Sequence, residues 1–231
     1  MPSLMKILFF ISSASLTASA VVILSYAMTA EWSTTNLECS IPGSVSFNGT
    51  AVVRLKLFQG VIVRNFCPLF GGTDRFEVFP KLVDTEGPSA ILHGLVLGLL
   101  AVCLLCSVCS ILISLYNSVS NPYETYMGPV GIYVCSSLSA CLALLVLILY
   151  VVNVLVTTMP ENLVQLFAEG IPAELRNKTA EMHVGYYMLI PYIVLSIGAI
   201  VLIYSYAHAA YTHRREQQRP TEDAPKEIMM Y

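Results

Sequence analysis

The sequence predicts an all-α membrane protein, a four-helix transmembrane bundle that carries a small disulfide-pinned extracellular β-sheet in its first loop. Three observations support this fold class. Only 12% of the 231 residues are charged, 56% are hydrophobic and the mean hydropathy is +0.70, whereas a soluble domain has roughly 25% charged residues. Four long segments contain no Asp, Glu, Lys or Arg. The first long loop holds two cysteines and an alternating apolar pattern. Apolar surface of this extent needs lipid as its solvent.

The four charge-free segments predict transmembrane helices over residues 7–28, 90–116, 130–156 and 184–207. Each exceeds the roughly 20 residues that a helix needs to cross a bilayer, and each is too long for a barrel strand of about 10 residues. The remaining segments are an extracellular loop at 29–89, a cytoplasmic loop at 117–129, a second extracellular loop at 157–183 and a cytoplasmic tail at 208–231.

The first segment has an alternative interpretation as a cleaved signal peptide. Lys6 precedes it, and Ala18-Ser19-Ala20 resembles a small-residue cleavage site. However, the apolar run continues past Ala20, beyond the usual core of roughly 7–15 residues. We therefore expect a retained helix.

The orientation is predicted from two glycosylation acceptors, because basic residues flank both sides in similar number and do not decide it. The acceptors are Asn48-Gly49-Thr50 and Asn177-Lys178-Thr179, and glycan is added only in the lumen. Four spans place both acceptors on the same side. We therefore predict glycan at Asn48 and Asn177, both termini in the cytoplasm, and a multi-pass protein of the plasma membrane.

Two of the seven cysteines, Cys39 and Cys67, lie outside the spans, and both are in the first loop. Two lone cysteines in an oxidising compartment most simply pair, so a disulfide is predicted. The other five are interpreted as small apolar residues inside the membrane. Acylation of Cys109 or Cys135 is the alternative.

The first loop is predicted to contain a β-hairpin. Apolar and charged residues alternate over residues 53–57, which is the period of a half-buried strand. Gln59-Gly60 is a candidate turn, and residues 61–67 are the candidate partner strand. In the loop at 157–183, residues 161–169 have helical spacing between Pro160 and Gly170, which predicts an extension of the third transmembrane helix or a short separate helix.

The spans lack the combinations of side chains that catalysis or ion coupling needs. Four histidines are present, but no intramembrane carboxylate or base accompanies them, so proton relays, ion-coupled transport and acid–base catalysis are disfavoured. No phosphate-binding glycine loop or metal-ligand spacing occurs, and the net charge of −3 excludes a nucleic-acid footprint. We predict no enzyme activity, catalytic residue, metal or cofactor. His93 is expected to bond a neighbouring helix, and Asn153 to link helices.

Small residues recur at one-turn spacing in three spans, which predicts close approach of helix backbones. The expected role is packing inside the bundle, and an oligomer contact is the alternative. The residues are Gly94, Gly98 and Ala101 in the second span, Ser13, Thr17 and Ala20 in the first, and Ser136, Ala140 and Ala143 in the third.

Several short motifs accompany the four spans, the β-rich first loop, Trp32 and the two loop cysteines. They are Met1-Pro2, Leu57-Phe58-Gln59-Gly60, Phe79-Pro80, the block from Tyr116 to Thr125 with its continuation from Gly128 to Tyr133, and Met230-Tyr231. The chain with these motifs resembles the claudin-like tetraspan superfamily, and more specifically the clarin family. Residues 121–123 and 214–225 are most similar to the third clarin branch. Lys56 departs from the pattern, because related clarins have glycine there.

The resemblance implies a non-enzymatic tetraspan glycoprotein in the lipid bilayer. Such a protein organises partner membrane proteins and links the membrane to cytoplasmic scaffolds and actin, with family roles in sensory hair cells, hearing and synapses. A channel, a transporter or an auxiliary channel subunit is the alternative, although the spans show no charge rings. Formation of a paracellular barrier is a third option.

The tail suggests one further contact. Its last residues, Met229, Met230 and Tyr231, place hydrophobic side chains at the last and third-last positions. This pattern suits β-augmentation in the groove of a PDZ scaffold, which binds a terminal carboxylate. The alternative is a solvated tail without a partner.

Overall fold

The computed structural model describes residues 4–40, 49–67, 71–85, 87–119, 128–168 and 173–217, without the side chains of residues 210 and 213–217. In chain order the elements are α1 (Leu4–Thr29), β1 (Glu31–Ser40), β2 (Gly49–Lys56), β3 (Gln59–Asn65), β4 (Gly72–Glu77), α2 (Val78–Val83), α3 (Pro88–Val119), α4 (Pro129–Leu155), α5 (Met159–Phe167), β5 (Glu174–Met182), α6 (Val184–Tyr187) and α7 (Leu189–Gln217).

Four helical segments of this described chain are long and apolar enough to cross a membrane. They are α1, α3, α4 and the stretch Val184–Ala209, which contains α6 and most of α7. Helices α1 and α4 each pack against both α3 and α7, so the four form a closed ring around one core. Proline is the first residue of α3 and of α4. A backbone N–H at this position has no acceptor within the helix, so its absence in proline costs no hydrogen bond. The predicted fold class is confirmed.

The sheet has five antiparallel strands in the order β4-β3-β2-β1-β5. Alternation sends Ala51, Val53 and Leu55 of β2 to the inner face, where α2 and α5 cover them. Strand β5, which the sequence pattern does not predict, comes from the loop between α4 and α6 and pairs with β1. The sheet therefore joins the two loops on one side of the bundle.

The hairpin of β2 and β3 differs in one detail from the prediction. Gln59 and Gly60 are the first residues of β3, and the turn is formed by Leu57 and Phe58. Leu57 is fully buried, whereas Phe58 is half exposed. The turn therefore points one apolar side chain into the core, which the expected turn at Gln59-Gly60 would not do.

Helix α5 begins two residues before the predicted 161–169 segment.

Candidate functional site

The predicted disulfide is present. Cys39 near the end of β1 and Cys67 two residues after β3 are bonded, their Cα atoms lie 5.4 Å apart and both are fully buried. Because β2 lies between β1 and β3, the bond ties together strands that do not pair with each other. The disulfide therefore fixes the end of the sheet at which β1 ends.

The opposite end of β1 is anchored in the bundle by Trp32. The indole is fully buried, and its Nε1 donates a hydrogen bond of 2.7 Å to the carbonyl oxygen of Ala27 in α1. The ring meets Tyr150 of α4 edge-on with 4.8 Å between centroids, and Tyr186 of α6 at 6.4 Å. Aromatic pairs in this geometry gain about 0.5–1.5 kcal/mol beyond area burial. One side chain thus contacts three helices.

Three further hydrogen bonds connect the sheet with residues at this end of the bundle. Ser33 Oγ and Tyr150 OH lie 2.8 Å apart, and His183 Nε2 lies 2.7 Å from Thr34 Oγ1. His93 Nε2 lies 2.8 Å from the carbonyl oxygen of Leu57 in the β2–β3 turn. The expectation that His93 bonds a neighbouring helix is therefore wrong. Its ring lies near the amino-terminal end of α3, against the β2–β3 turn.

Gly185 of α6 permits this close approach. A Cβ at this position would lie 2.5 Å from Cδ1 of Trp32 and 2.8 Å from the carbonyl oxygen of Glu31. Neither atom is the free end of a flexible side chain, so no side chain fits. We define the sheet–bundle junction as Trp32, Ser33, His93, Tyr150 and Gly185.

Deeper in the bundle, hydroxyl groups bond across helices. Ser107 Oγ lies 2.9 Å from Tyr192 OH, and Ser110 Oγ lies 3.2 Å from Ser136 Oγ. Asn153 donates from Nδ2 to the carbonyl oxygen of Ser89 at 3.3 Å, so it links α4 to α3 as expected. These groups satisfy one another and hold α3, α4 and α7 in register.

The small-residue stripes fall into two groups. The stripes of α1 and α4 are buried in the bundle, as predicted. The stripe of α3 is not: Gly98 and Ala101 are exposed, and a Cβ on Gly98 would meet nothing within 4 Å. Gly94 lies beneath the ring of Phe79, where a Cβ on the glycine would be 3.1 Å from Cε2 of the ring. The internal-packing expectation is wrong for Gly98 and Ala101, because α3 buries the face of Val96, Leu100 and Cys103 instead.

The predicted modification and tail residues are only partly within the described chain. Asn177 is exposed on β5, an edge strand, and its Nδ2 donates to Glu38 Oε2 at 2.6 Å. Asn48, Met229, Met230 and Tyr231 lie outside the described residues. The sequence analysis does not single out the junction residues Tyr150 and Gly185 or the neighbouring Tyr186, although tyrosines near span ends are a recognised signal of a membrane interface.

The sequence of the chain is similar to the sequences of one known family. A family model described as Clarin-2-like matches residues 4–172. Clarin-3 from Mus musculus is 32% identical over 235 residues, and Clarin-3 from Homo sapiens is 29% identical over 234, each with 100% of both chains covered. Clarin-1 from Mus musculus is 31% identical over 118 residues, which cover 51% of this chain and 49% of that relative. The chain therefore belongs to the clarin family of tetraspan membrane proteins.

Proposed function

We propose that this chain is a non-enzymatic tetraspan glycoprotein that gathers partner membrane proteins by lateral contact and links the membrane to a cytoplasmic scaffold and actin. Clarin membership supports this class of function. The observation that carries the proposal is the outward face of α3, which we call the α3 face and define as Gly94, Gly98 and Ala101.

The α3 face suits a helix from another protein. Two of its residues are exposed, and none has a side chain larger than a methyl group, so a second backbone can approach closely. At its outer end an apolar groove of about 420 Å³ separates α2 from α3. The groove is lined by Phe79, Val83, Gly87, Ala90, Ile91 and Gly94. A partner helix that follows the stripe would place a side chain in this groove.

Replacing Gly98 with leucine is expected to remove lateral partners. The larger side chain would prevent close backbone contact, whereas it meets nothing within 4 Å at the Cβ position and leaves this chain's own packing intact. The measurement is the set of membrane proteins that co-purifies with the full chain from expressing cells in mild detergent. We expect most of that set to be lost.

Ala18→Leu is the matched control, because Ala18 is a small exposed residue on a different span, α1. It should leave the co-purified set unchanged. Equal loss in both variants, or retention of the set in Gly98→Leu, would argue against the α3 face as the binding surface.

The hydrogen bonds inside the bundle favour an organiser over a channel or transporter. The hydroxyls of Ser107 and Tyr192 bond each other, as do those of Ser110 and Ser136. A conducting path needs polar groups or charges that face water. Hydroxyls that are engaged across helices instead contribute to packing.

We infer further that the sheet faces the cell exterior at the plasma membrane, with both termini in the cytoplasm and glycan at Asn48 and Asn177. The exposed position of Asn177 on an edge strand supports access by the glycosylating enzyme. In cells, Asn48→Gln and Asn177→Gln should each abolish one glycosidase-sensitive mobility shift. Unchanged mobility of both single variants would count against this orientation.

The proposed scaffold contact belongs to the tail that carries Met229, Met230 and Tyr231. Its support is the sequence pattern alone, a terminal hydrophobic residue with another two positions earlier, which suits a PDZ groove. Together with clarin membership, this pattern supports a proposed role in actin-supported membrane of sensory cells, including those of hearing.

A further inference from the structure

The outer face of the sheet contains a cleft that none of the contacts above uses. Alternation along β2, β3 and β4 sends one set of side chains to the core and the other set to this outer face. The cleft has a volume of about 550 Å³, which is within the range of small-ligand sites, roughly 300–1,000 Å³. We define the outer cleft by the side chains of Glu31, Arg54, Lys56, Val61, Arg75 and Glu77.

The strand register places two arginines on either side of an apolar floor. Arg54 of β2 is directly opposite Val61 of β3, and Val61 is directly opposite Arg75 of β4. Neighbouring strands are about 4.8 Å apart, so the two arginine Cα atoms are separated by roughly 10 Å. A carboxylate held above Val61 is therefore within reach of both guanidinium groups.

The three cations that line the cleft take no part in the ion pairs of the described chain. In the part of the chain that the structure describes, ion pairs join Arg64 to Asp74, Lys81 to Asp84 and Lys178 to Glu161, and the cleft cations Arg54, Lys56 and Arg75 take part in none of them. Like charges on one sheet face repel each other unless an anion lies between them. Arg64 on the inner face differs, because Asp74 approaches it within 2.7 Å.

We infer that the outer cleft binds a single carboxylate side chain from an extended, otherwise neutral segment of a partner protein, which is an extracellular segment in the orientation proposed above. Each guanidinium offers a planar fork of donors that matches a carboxylate, and Val61 offers an apolar contact to the methylene groups that precede it. This docking surface lies on the sheet and not on the α3 face, so it goes beyond the lateral contact proposed above.

The rim of the cleft selects between acidic partners. Glu31 and Glu77 contribute two carboxylates to the lining against three cations. A sulfated glycan carries closely spaced anions along its whole length, and these would meet both glutamates. A peptide carboxylate that is flanked by neutral residues avoids this repulsion. The mixed rim therefore favours a protein segment over a polyanion.

Peptide binding to the purified full chain in detergent micelles tests the inference. The probe is a fluorescent nonapeptide of threonines with glutamate at its centre, and its twin has glutamine at that position. We expect the glutamate peptide to bind more tightly than its twin. The double variant Arg54→Gln/Arg75→Gln should weaken its binding by about tenfold or more, because both charge-assisted bonds are lost.

Val61→Glu is a second, independent variant. It places a carboxylate of the chain itself between the two arginines, so the glutamate peptide should lose binding while the arginines remain. Lys81→Gln is the matched control, because Lys81 is an exposed cation on α2, outside the cleft. It should bind the peptide as the unmodified chain does.

Two results would overturn the inference. One is glutamate-peptide affinity that is the same in the unmodified chain, the double variant and Val61→Glu. The other is a heparin hexasaccharide that binds the cleft more tightly than the peptide and is lost in the same variants, which would assign the cleft to a glycan. Because the assay uses purified protein, its outcome is independent of the co-purification experiment on the α3 face.

Discussion

Replacing Cys39 with serine is expected to prevent most of the protein from reaching the cell surface. The disulfide closes a segment with a sequence separation of 28, and loss of a native disulfide from a small domain costs about 2–5 kcal/mol. The sheet, α2 and α5 share a small core that cannot offset such a loss. Surface biotinylation of cells that express the variant measures the effect.

The choice of variants separates loss of the bond from other effects of the substitution. Cys141→Ser is the matched control, because Cys141 is a free, exposed cysteine of α4. It should reach the surface normally. Cys39→Ser/Cys67→Ser should be as defective as the single variant, since both lack the same bond. Normal surface delivery of the double variant would contradict the proposed structural role, and recovery relative to the single variant would identify the unpaired Cys67 as the cause.

Gly185→Ala is expected to destabilise the sheet–bundle junction. The added methyl group would lie 2.5 Å from Trp32 and 2.8 Å from a backbone oxygen, so the sheet must shift away from α6. Overpacking of this kind costs about 1–3 kcal/mol. Thermal unfolding in detergent micelles should give a lower Tm. Trp32 is the only tryptophan in the chain, so its fluorescence emission reports displacement of the indole directly.

Gly98→Ala provides the same chemical change at a site without a neighbour. Its Cβ meets nothing within 4 Å, and alanine is favoured over glycine inside a helix by up to about 1 kcal/mol. The Tm of this variant should be equal to or above that of the unmodified chain, and the emission of Trp32 should not change. An unchanged Tm and emission in Gly185→Ala would show that the junction tolerates the methyl group.

The features that sequence predicts best are those that depend on a single local property. Long runs without charge are enough to identify four membrane helices, and the location of Cys39 and Cys67 in one loop is enough to pair them. The β2–β3 hairpin follows from alternation. Strand β5 does not, because a bulge at Asn177, where φ is +52°, shifts the register against β1 between Asn36 and Glu38. The apolar residues of β5 consequently do not alternate with polar residues along the whole strand.

The orientation of α3 is harder to predict for a different reason. In water, the apolar side of a helix faces the core, but in a bilayer both lipid and core are apolar. Hydropathy therefore does not say whether Gly98 or Leu100 points inward, and the structure buries Leu100. The partner of His93 is a backbone carbonyl in the turn between β2 and β3. Every residue has such a carbonyl, so the order of side chains in the sequence does not indicate which one is bonded.

The pairing of β1 with β5 has a consequence for biosynthesis. A ribosome makes the chain from its amino end, so β1 to β4 and both disulfide cysteines are complete before α3 is made, whereas β5 follows α4. Until then one edge of β1 is unpaired, and exposed strand edges attract non-native pairing. Strand β5 can therefore complete the sheet only after the three membrane helices α1, α3 and α4 have been made. Completion of the sheet thus depends on the correct insertion of these helices.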